Sequence, residues 1–284
     1  MPVQLVHCAD LHIGSSFSYL PSELAKIRKE ELCRSFADII DYCKEKAVDG
    51  LLICGDLFDT PVPSSADCAF VKSMFEKLSP VPAYVVCGNH DFLCSDSPFM
   101  KANFFPGNVH IFPGFDFSYE IPEKNTIIHG KSFNSNIVSP SFEELVIDSD
   151  KINVMCLHGD IVTGSDYNII SKETLEKTGC EYAAFGHIHN GELFTAGKVK
   201  CAYCGTAEAH KFNDDGKVGF IHAFISKEET HLMEIDHSIR HYHNIEFDIS
   251  GLSEAEIPEK ISDFLIDTDL YRIVLTGENA KIPI

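Results

Sequence analysis

The chain has 284 residues, 44% of them hydrophobic, enough for one large domain with a buried core and a small second one. Asp and Glu number 43 against 23 Lys and Arg, a net charge of -20, so the global field does not steer polyanions towards it. No window approaches 18 uncharged apolar residues, which excludes a predicted transmembrane helix, and MPVQLVHCAD has neither a basic nor a long apolar segment, so no signal peptide and a cytoplasmic location are expected.

Residues 3–8 (VQLVHC) read as a strand, and 22–47 as a helix with Leu24, Ile27, Phe36, Ile39, Ile40 and Cys43 on one face, opened by Pro21 and Ser22. A strand at 51–55, a helix at about 64–78 and a strand at 83–88 complete a βαβαβ beginning, which argues for a sheet with helices on its faces. Short β-rich segments follow at about 109–112, 117–121, 126–130, 153–158, 182–186, 192–196, 199–204, 218–225 and 231–237, interrupted by a helix at about 168–178. A second, mixed sheet packed on the first would give a four-layer α/β/β/α sandwich over 1–238. Residues 239–284 read as a small β-α-β capping module, with its helix at 253–266. The 11 cysteines are odd in number and several sit in apolar runs, as buried thiols of a reduced cytosol do. The one C-x-x-C, Cys201 to Cys204, falls in a predicted strand, where alternation weakens joint chelation.

Five segments rich in Asp, His and Asn each follow a predicted strand, where α/β sheets gather ligands. They are Asp10-Leu11-His12, Gly55-Asp56-Leu57-Phe58-Asp59, Gly88-Asn89-His90-Asp91, His158-Gly159-Asp160 and Gly186-His187-Ile188-His189. Side chains two apart on an extended chain face the same way, so Asp10 with His12, and His187 with His189, can converge on an ion. The mixture of carboxylate, imidazole and amide suits Mn²⁺, Fe or Zn²⁺ better than the all-oxygen shell of Ca²⁺. An Asp can bridge two ions about 3.5–4 Å apart, the spacing of two-metal hydrolases.

The ordered set DLH, GDLFD, GNHD, HGD and GHIH resembles the calcineurin-like metallophosphoesterase superfamily. HCADLHIGSSF, LLICGDLFD, FGHIHNGELF and YCGTAEAHKF look, more narrowly, like the SbcD-type DNA repair nucleases. The resemblance implies two divalent ions, Mn²⁺ foremost with Fe or Zn²⁺ as alternatives. Asp10, His12 and His189 would bind one, Asn89, His158 and His187 the other, and Asp56 would bridge them. It implies hydroxide attack on phosphorus, with His90 as general acid and Asp91 orienting His90. Asp59 and Asp160 match motif positions without being expected to bind metal. The implied partners are DNA, an SMC-like ATPase of SbcC type and a second copy of the chain, with no membrane. Such nucleases also carry a substantial DNA-binding capping region and a helical segment for the ATPase, whereas this sequence reaches only Ile284, just past LYRIVLTG.

Two other readings compete with a nuclease: the same chemistry on a nucleotide or other small phosphoester, favoured by the acidic balance, and a metal-stabilised scaffold for a partner protein. His7, His110, His129 and His222 lie in β-runs without partner motifs and read as structural. His210 follows a segment that sits near the active site in the look-alike nucleases, which makes it a candidate to touch substrate. The aromatic run FPGFDFSY could line a cleft.

Overall fold

Leu51 and Ile53 point one way from their strand and Leu52 and Cys54 the other, and all four are fully buried, so this strand is covered on both faces. The computed structural model describes residues 2–137, 147–161, 170–214 and 216–278. In it, β1 (Val3–Cys8), β2 (Gly50–Cys54), β3 (Ala83–Val86) and β4 (Val109–Ile111) alternate with α1 (Ser22–Glu45) and α2 (Ser65–Leu78). Next come β5 (Phe117–Ile121), β6 (Thr126–Gly130), β7 (Ile152–His158), α3 (Lys172–Thr178), β8 (Tyr182–Gly186), β9 (Glu192–Ala196) and β10 (Val199–Tyr203). β11 (Phe220–Ile225) and β12 (Thr230–Ile235) return to the first sheet, and β13 (Tyr242–Asp248), α4 (Glu256–Ser262) and β14 (Leu270–Thr276) form the tail.

The first sheet has the order β12-β11-β1-β2-β3-β4 and the second β5-β6-β7-β8-β10-β9. Alternation sorts their side chains into three cores. Val6, Ile53 and Val85 meet Phe36, Ile40, Val71 and Phe75 of α1 and α2. Leu52, Cys54, Val154, Cys156 and Ala184 meet between the sheets, and Met155, Leu157 and Phe185 pack with Leu175 of α3. Three cores separate four layers, the expected α/β/β/α sandwich. β1, β2 and β3 run parallel, as do β7 and β8, so the ends of strands from both sheets supply the loops of one rim. β13 and β14 pair in parallel, Tyr242 opposite Leu270 through Asp248 opposite Thr276, as a β-α-β unit.

Three details differ from the sequence reading. α4 covers only Glu256–Ser262 of the predicted 253–266: the Glu256 carboxylate accepts the Ser253 N–H (2.9 Å) and hydroxyl (2.6 Å), closing a turn before the helix, and no residue of α4 is buried to hold a longer one. α3 starts at Lys172, where Ser171 Oγ accepts the Thr174 N–H at 3.1 Å; residues 168 and 169 lie outside the described residues. The run from Phe112 to Tyr119 divides, with Phe112 in the inter-sheet core and Phe115 and Phe117 exposed away from the cleft described below. Cys201 and Cys204 fall into different cores on opposite faces of the second sheet. No helix among the described residues is long and apolar enough to cross a membrane.

His7 has a structural role. It is fully buried, its Nε2 donates to the Phe185 carbonyl at 3.1 Å, and its Nδ1 accepts from the Tyr182 hydroxyl at 2.7 Å, so one imidazole joins the two sheets. Burial pushes its pKa down to about 3, so it stays neutral. Tyr182→Phe leaves that nitrogen buried without a donor and should cost about 1–3 kcal/mol, read as a lower urea midpoint with an unchanged slope.

Candidate metal centre

The five segments meet at one rim, and the backbone bends sharply to bring them there. Asp10, His12, Asp56 and His187 all have positive φ, between 43° and 96°, a conformation that costs free energy in residues with a Cβ and persists only where the surroundings impose it. The imposing contacts are explicit. Asp10 N–H donates to Gly55 O (3.1 Å), His12 N–H to Asp56 O (2.9 Å) and Ile13 N–H to Leu57 O (2.9 Å), which zips the first loop to the second. His187 N–H donates to both Asp10 carboxylate oxygens (3.1 and 2.9 Å), and Thr206 Oγ donates to Asp10 O (2.6 Å). Gly186 and Gly88 are required by proximity: a Cβ on the first would overlap the Cys54 carbonyl, and one on the second the Asp56 carboxylate.

The expected ligands come together. Asp10, His12 and His189 each bring one ligand atom to within 4.8 Å of the others, with His12 Nε2 and His189 Nε2 3.3 Å apart. Asn89 Oδ1 lies 3.0 Å from His158 Nε2 and 3.2 Å from His187 Nδ1. Asp56 stands between the two sets, Oδ2 3.8 Å from His12 Nε2 and 3.4 Å from His158 Nε2. His90 is also close, in a convergent set with His12 and Asp56. Its ring stands edge-on to His12 with centroids 4.7 Å apart, and its side chain is 46% exposed at the rim of a cleft of about 450 Å³. Asp160 belongs to none of the convergent sets among the described residues.

Asp91 does not orient His90. It is fully buried, and its carboxylate accepts backbone N–H groups from Gly88 (2.6 Å), Leu57 (2.9 Å), Phe58 (3.2 Å) and Asp56 (3.3 Å). It clamps the second loop to the third and so places Asp56 beside Asn89. The reason is geometric: Asp91 turns inward where His90 turns outward, and the carboxylate facing the His90 ring is Asp59, Nδ1 to Oδ1 3.8 Å.

Sequence reasoning missed the groups that aim the imidazoles. Asp59 Oδ1 is 3.1 Å from His12 Nδ1, Asp214 Oδ2 is 3.2 Å from His189 Nδ1, and the Cys54 carbonyl is 2.8 Å from His158 Nδ1. Each acceptor holds the proton on Nδ1 and leaves Nε2 for an ion, the usual support of a metal-binding histidine. Asp59 was visible in GDLFD, but Asp214, 25 residues beyond His189 in a polar turn, carried no signal.

The donor set fits divalent ions on charge as well as geometry. Asp10, Asp56 and Asp91 are all buried within this one site. Burial alone would raise Asp56, yet His158, His12 and His90 hold it below the usual carboxylate range. Burial together with the Asp56 charge lifts Asp91 to about 7. Burial opposes protonation of His158, but Asp56 beside it prevails and raises the imidazole to about 9. A proton there occupies the place an ion would take. Ion binding must displace it, so Mn²⁺ affinity should rise about tenfold per pH unit between pH 7 and about 9 through this residue. Calorimetric titrations in two buffers of different ionisation enthalpy check this, because they count the released proton.

Comparison with known proteins agrees with this geometry. The family model of the calcineurin-like phosphoesterases matches residues 3–191. The uncharacterized metallophosphoesterase YhaO of Bacillus subtilis is 29% identical over 235 residues, 76% of this chain and 55% of that one. The DNA double-strand break repair protein Mre11 of Methanococcus maripaludis is 27% identical over 218 residues, 72% of this chain and 57% of that one. The chain thus spans about half the length of these curated relatives. Among solved structures, a dimetal phosphatase from Danio rerio superposes with a TM-score of 0.56 at 10% identity, over 82% of this chain and 99% of that one, a likeness of fold. With the five loops, the aspartate between the two donor sets and the family match in agreement, the chain belongs to the calcineurin-like phosphoesterase family.

Proposed function

We propose that the chain is a two-metal phosphodiesterase acting on DNA, at ends or in single strands, with Mn²⁺ as its working ion. The observation that carries the chemistry is Asp56, fully buried between two donor sets with His90 at the open rim beside it. Bound divalent ions would supply Lewis acidity to a phosphoryl oxygen and lower the pKa of a water. The protein's own residues do the rest. Asp56, His12 and His158 fix the positions of charge, and their supports at Asp59 and the Cys54 carbonyl limit reorganisation during reaction. His90 can pass a proton to the departing oxygen from the solvent-facing side, with Asp59 facing its Nδ1. The choice of DNA rests on the SbcD-type motifs and the likeness to Mre11, and it carries with it, as proposals, a homodimer and an SMC-like ATPase partner.

A small phosphodiester is the second reading. Lys211 is the one Lys or Arg among the described residues lining the cleft, and the chain carries a net charge of -20. A long polyanion would find little else to hold.

The two are separated by comparing linear DNA with bis-p-nitrophenyl phosphate, using the Mn²⁺-loaded protein and His90→Ala. The variant should lose about 10²–10⁴-fold on DNA, whose leaving alkoxide needs a proton, and far less on the nitrophenyl ester. Intact DNA alongside rapid hydrolysis of the small ester would favour the second reading, and inactivity on both with metals counted in place would reject phosphodiester chemistry.

A further inference from the structure

The cleft contains one imidazole that neither donor set nor the proton-transfer role employs. His210 lines the cleft, with its ring centroid 5.1 Å from that of His12 and 5.7 Å from that of His189. It belongs to none of the convergent sets among the described residues, so its nitrogens do not point at the place where the His12 and His189 ligand atoms meet.

The ring is nevertheless held firmly. It stacks on Phe17, centroids 5.7 Å apart and planes 6° apart, and the Arg28 guanidinium lies 5.6 Å from the Phe17 centroid. The His210 N–H donates to Asp214 Oδ2 at 2.9 Å, and its carbonyl accepts from the Tyr19 hydroxyl. Asp214 also supports His189, so one carboxylate holds the His210 backbone and the His189 ring. The His210 ring donates to the Asp10 carbonyl, while Nε2 is shielded from solvent and has no hydrogen-bond partner. The donating nitrogen is therefore Nδ1, and Nε2 presents a lone pair.

A buried acceptor without a donor is costly unless something visits it. The oxygens of an ionised phosphodiester carry no proton and cannot satisfy it. The donors that chemistry brings to such a cleft are O–H groups: the attacking water, or a sugar hydroxyl near the scissile phosphate. We propose that His210 Nε2 accepts a hydrogen bond from an O–H group at the reaction centre, making His210 a residue of the reaction cleft rather than of either donor set. This rests on the phosphodiesterase reading above.

Two measurements on the full chain test it. In the Zn²⁺-loaded protein labelled with ¹⁵N-histidine, long-range ¹H–¹⁵N spectra should show His210, assigned by its loss in His210→Leu, with a protonated Nδ1 and a bare Nε2. Kinetics with Mn²⁺ should then compare His210→Leu and His210→Gln on bis-p-nitrophenyl phosphate, which has no hydroxyl, and on the p-nitrophenyl ester of thymidine 5′-phosphate, which has one. His210→Leu should keep its metal content and lose about 10–100-fold in kcat/KM, the value of one well-placed hydrogen bond, while His210→Gln, which retains an acceptor, should recover most of it. Loss on both esters identifies the water as the donor, and loss on the nucleotide ester alone identifies the sugar hydroxyl. A protonated Nε2, activity within about twofold of wild type on both esters, or metal lost in step with activity would overturn the proposal. A wild-type protein inactive on both esters and on linear DNA would instead sink the phosphodiesterase reading, with the spectra still deciding whether Nε2 is a free acceptor.

Discussion

Three buried carboxylates, Asp10, Asp56 and Asp91, share one rim of this protein, and their mutual repulsion is the constraint around which the site is built. Each finds its hydrogen bonds in a different way. Asp10 takes the His187 N–H, Asp91 takes four backbone N–H groups, and Asp56 takes the His90 N–H at 2.9 Å while facing two imidazoles. The backbone donors come from the loops themselves, so satisfying the charges and folding the loops are the same event. The positive φ angles of Asp56 and His187 turn their N–H groups to the Asp91 and Asp10 carboxylates, and those of Asp10 and His12 turn theirs to backbone carbonyls of the second loop. Without cations the remaining negative charge leans on histidine protons, and divalent ions are the natural substitute.

The loops sit on a frame that leaves them little freedom. β2 and β7 lie in facing sheets, and Cys54 and Cys156 near their ends approach to 3.4 Å between sulfurs. Directly beyond them the Cys54 carbonyl reaches His158 across the gap. The two donor sets are therefore spaced by the inter-sheet packing, and Asp56 can stand between them because that gap is fixed. The same logic assigns the buried His7–Tyr182 contact a role in spacing, although it holds no ion.

Much of this was legible from sequence because the ligands are local to strand ends. Short apolar runs located β1, β2, β3, β7 and β8, and the Asp, Asn and His residues stand at their ends, so the layer order and the five donor segments could be read without coordinates, while their sorting into two sets came from the family resemblance. What could not be read depends on contacts between distant segments. Asp91 looked like a partner for His90 because the two are adjacent, whereas three of its four backbone donors, Asp56, Leu57 and Phe58, lie 33 to 35 residues earlier. Asp214 lies in a polar turn whose only distinction is where the fold delivers it, and His210 was flagged solely by its place after a segment of the look-alike nucleases. The acidic composition describes the surface as a whole and leaves open what one rim, once loaded with ions, would attract.

The proposed function turns on Asp56 being shared by two ions. Crystals of the protein grown with Mn²⁺ and measured at the manganese absorption edge test it directly. The account expects two anomalous peaks flanking the Asp56 carboxylate, about 3.5–4 Å apart, one beside His12 and His189 and the other beside Asn89 and His158. A single peak, or two peaks of which only one contacts Asp56, would contradict it.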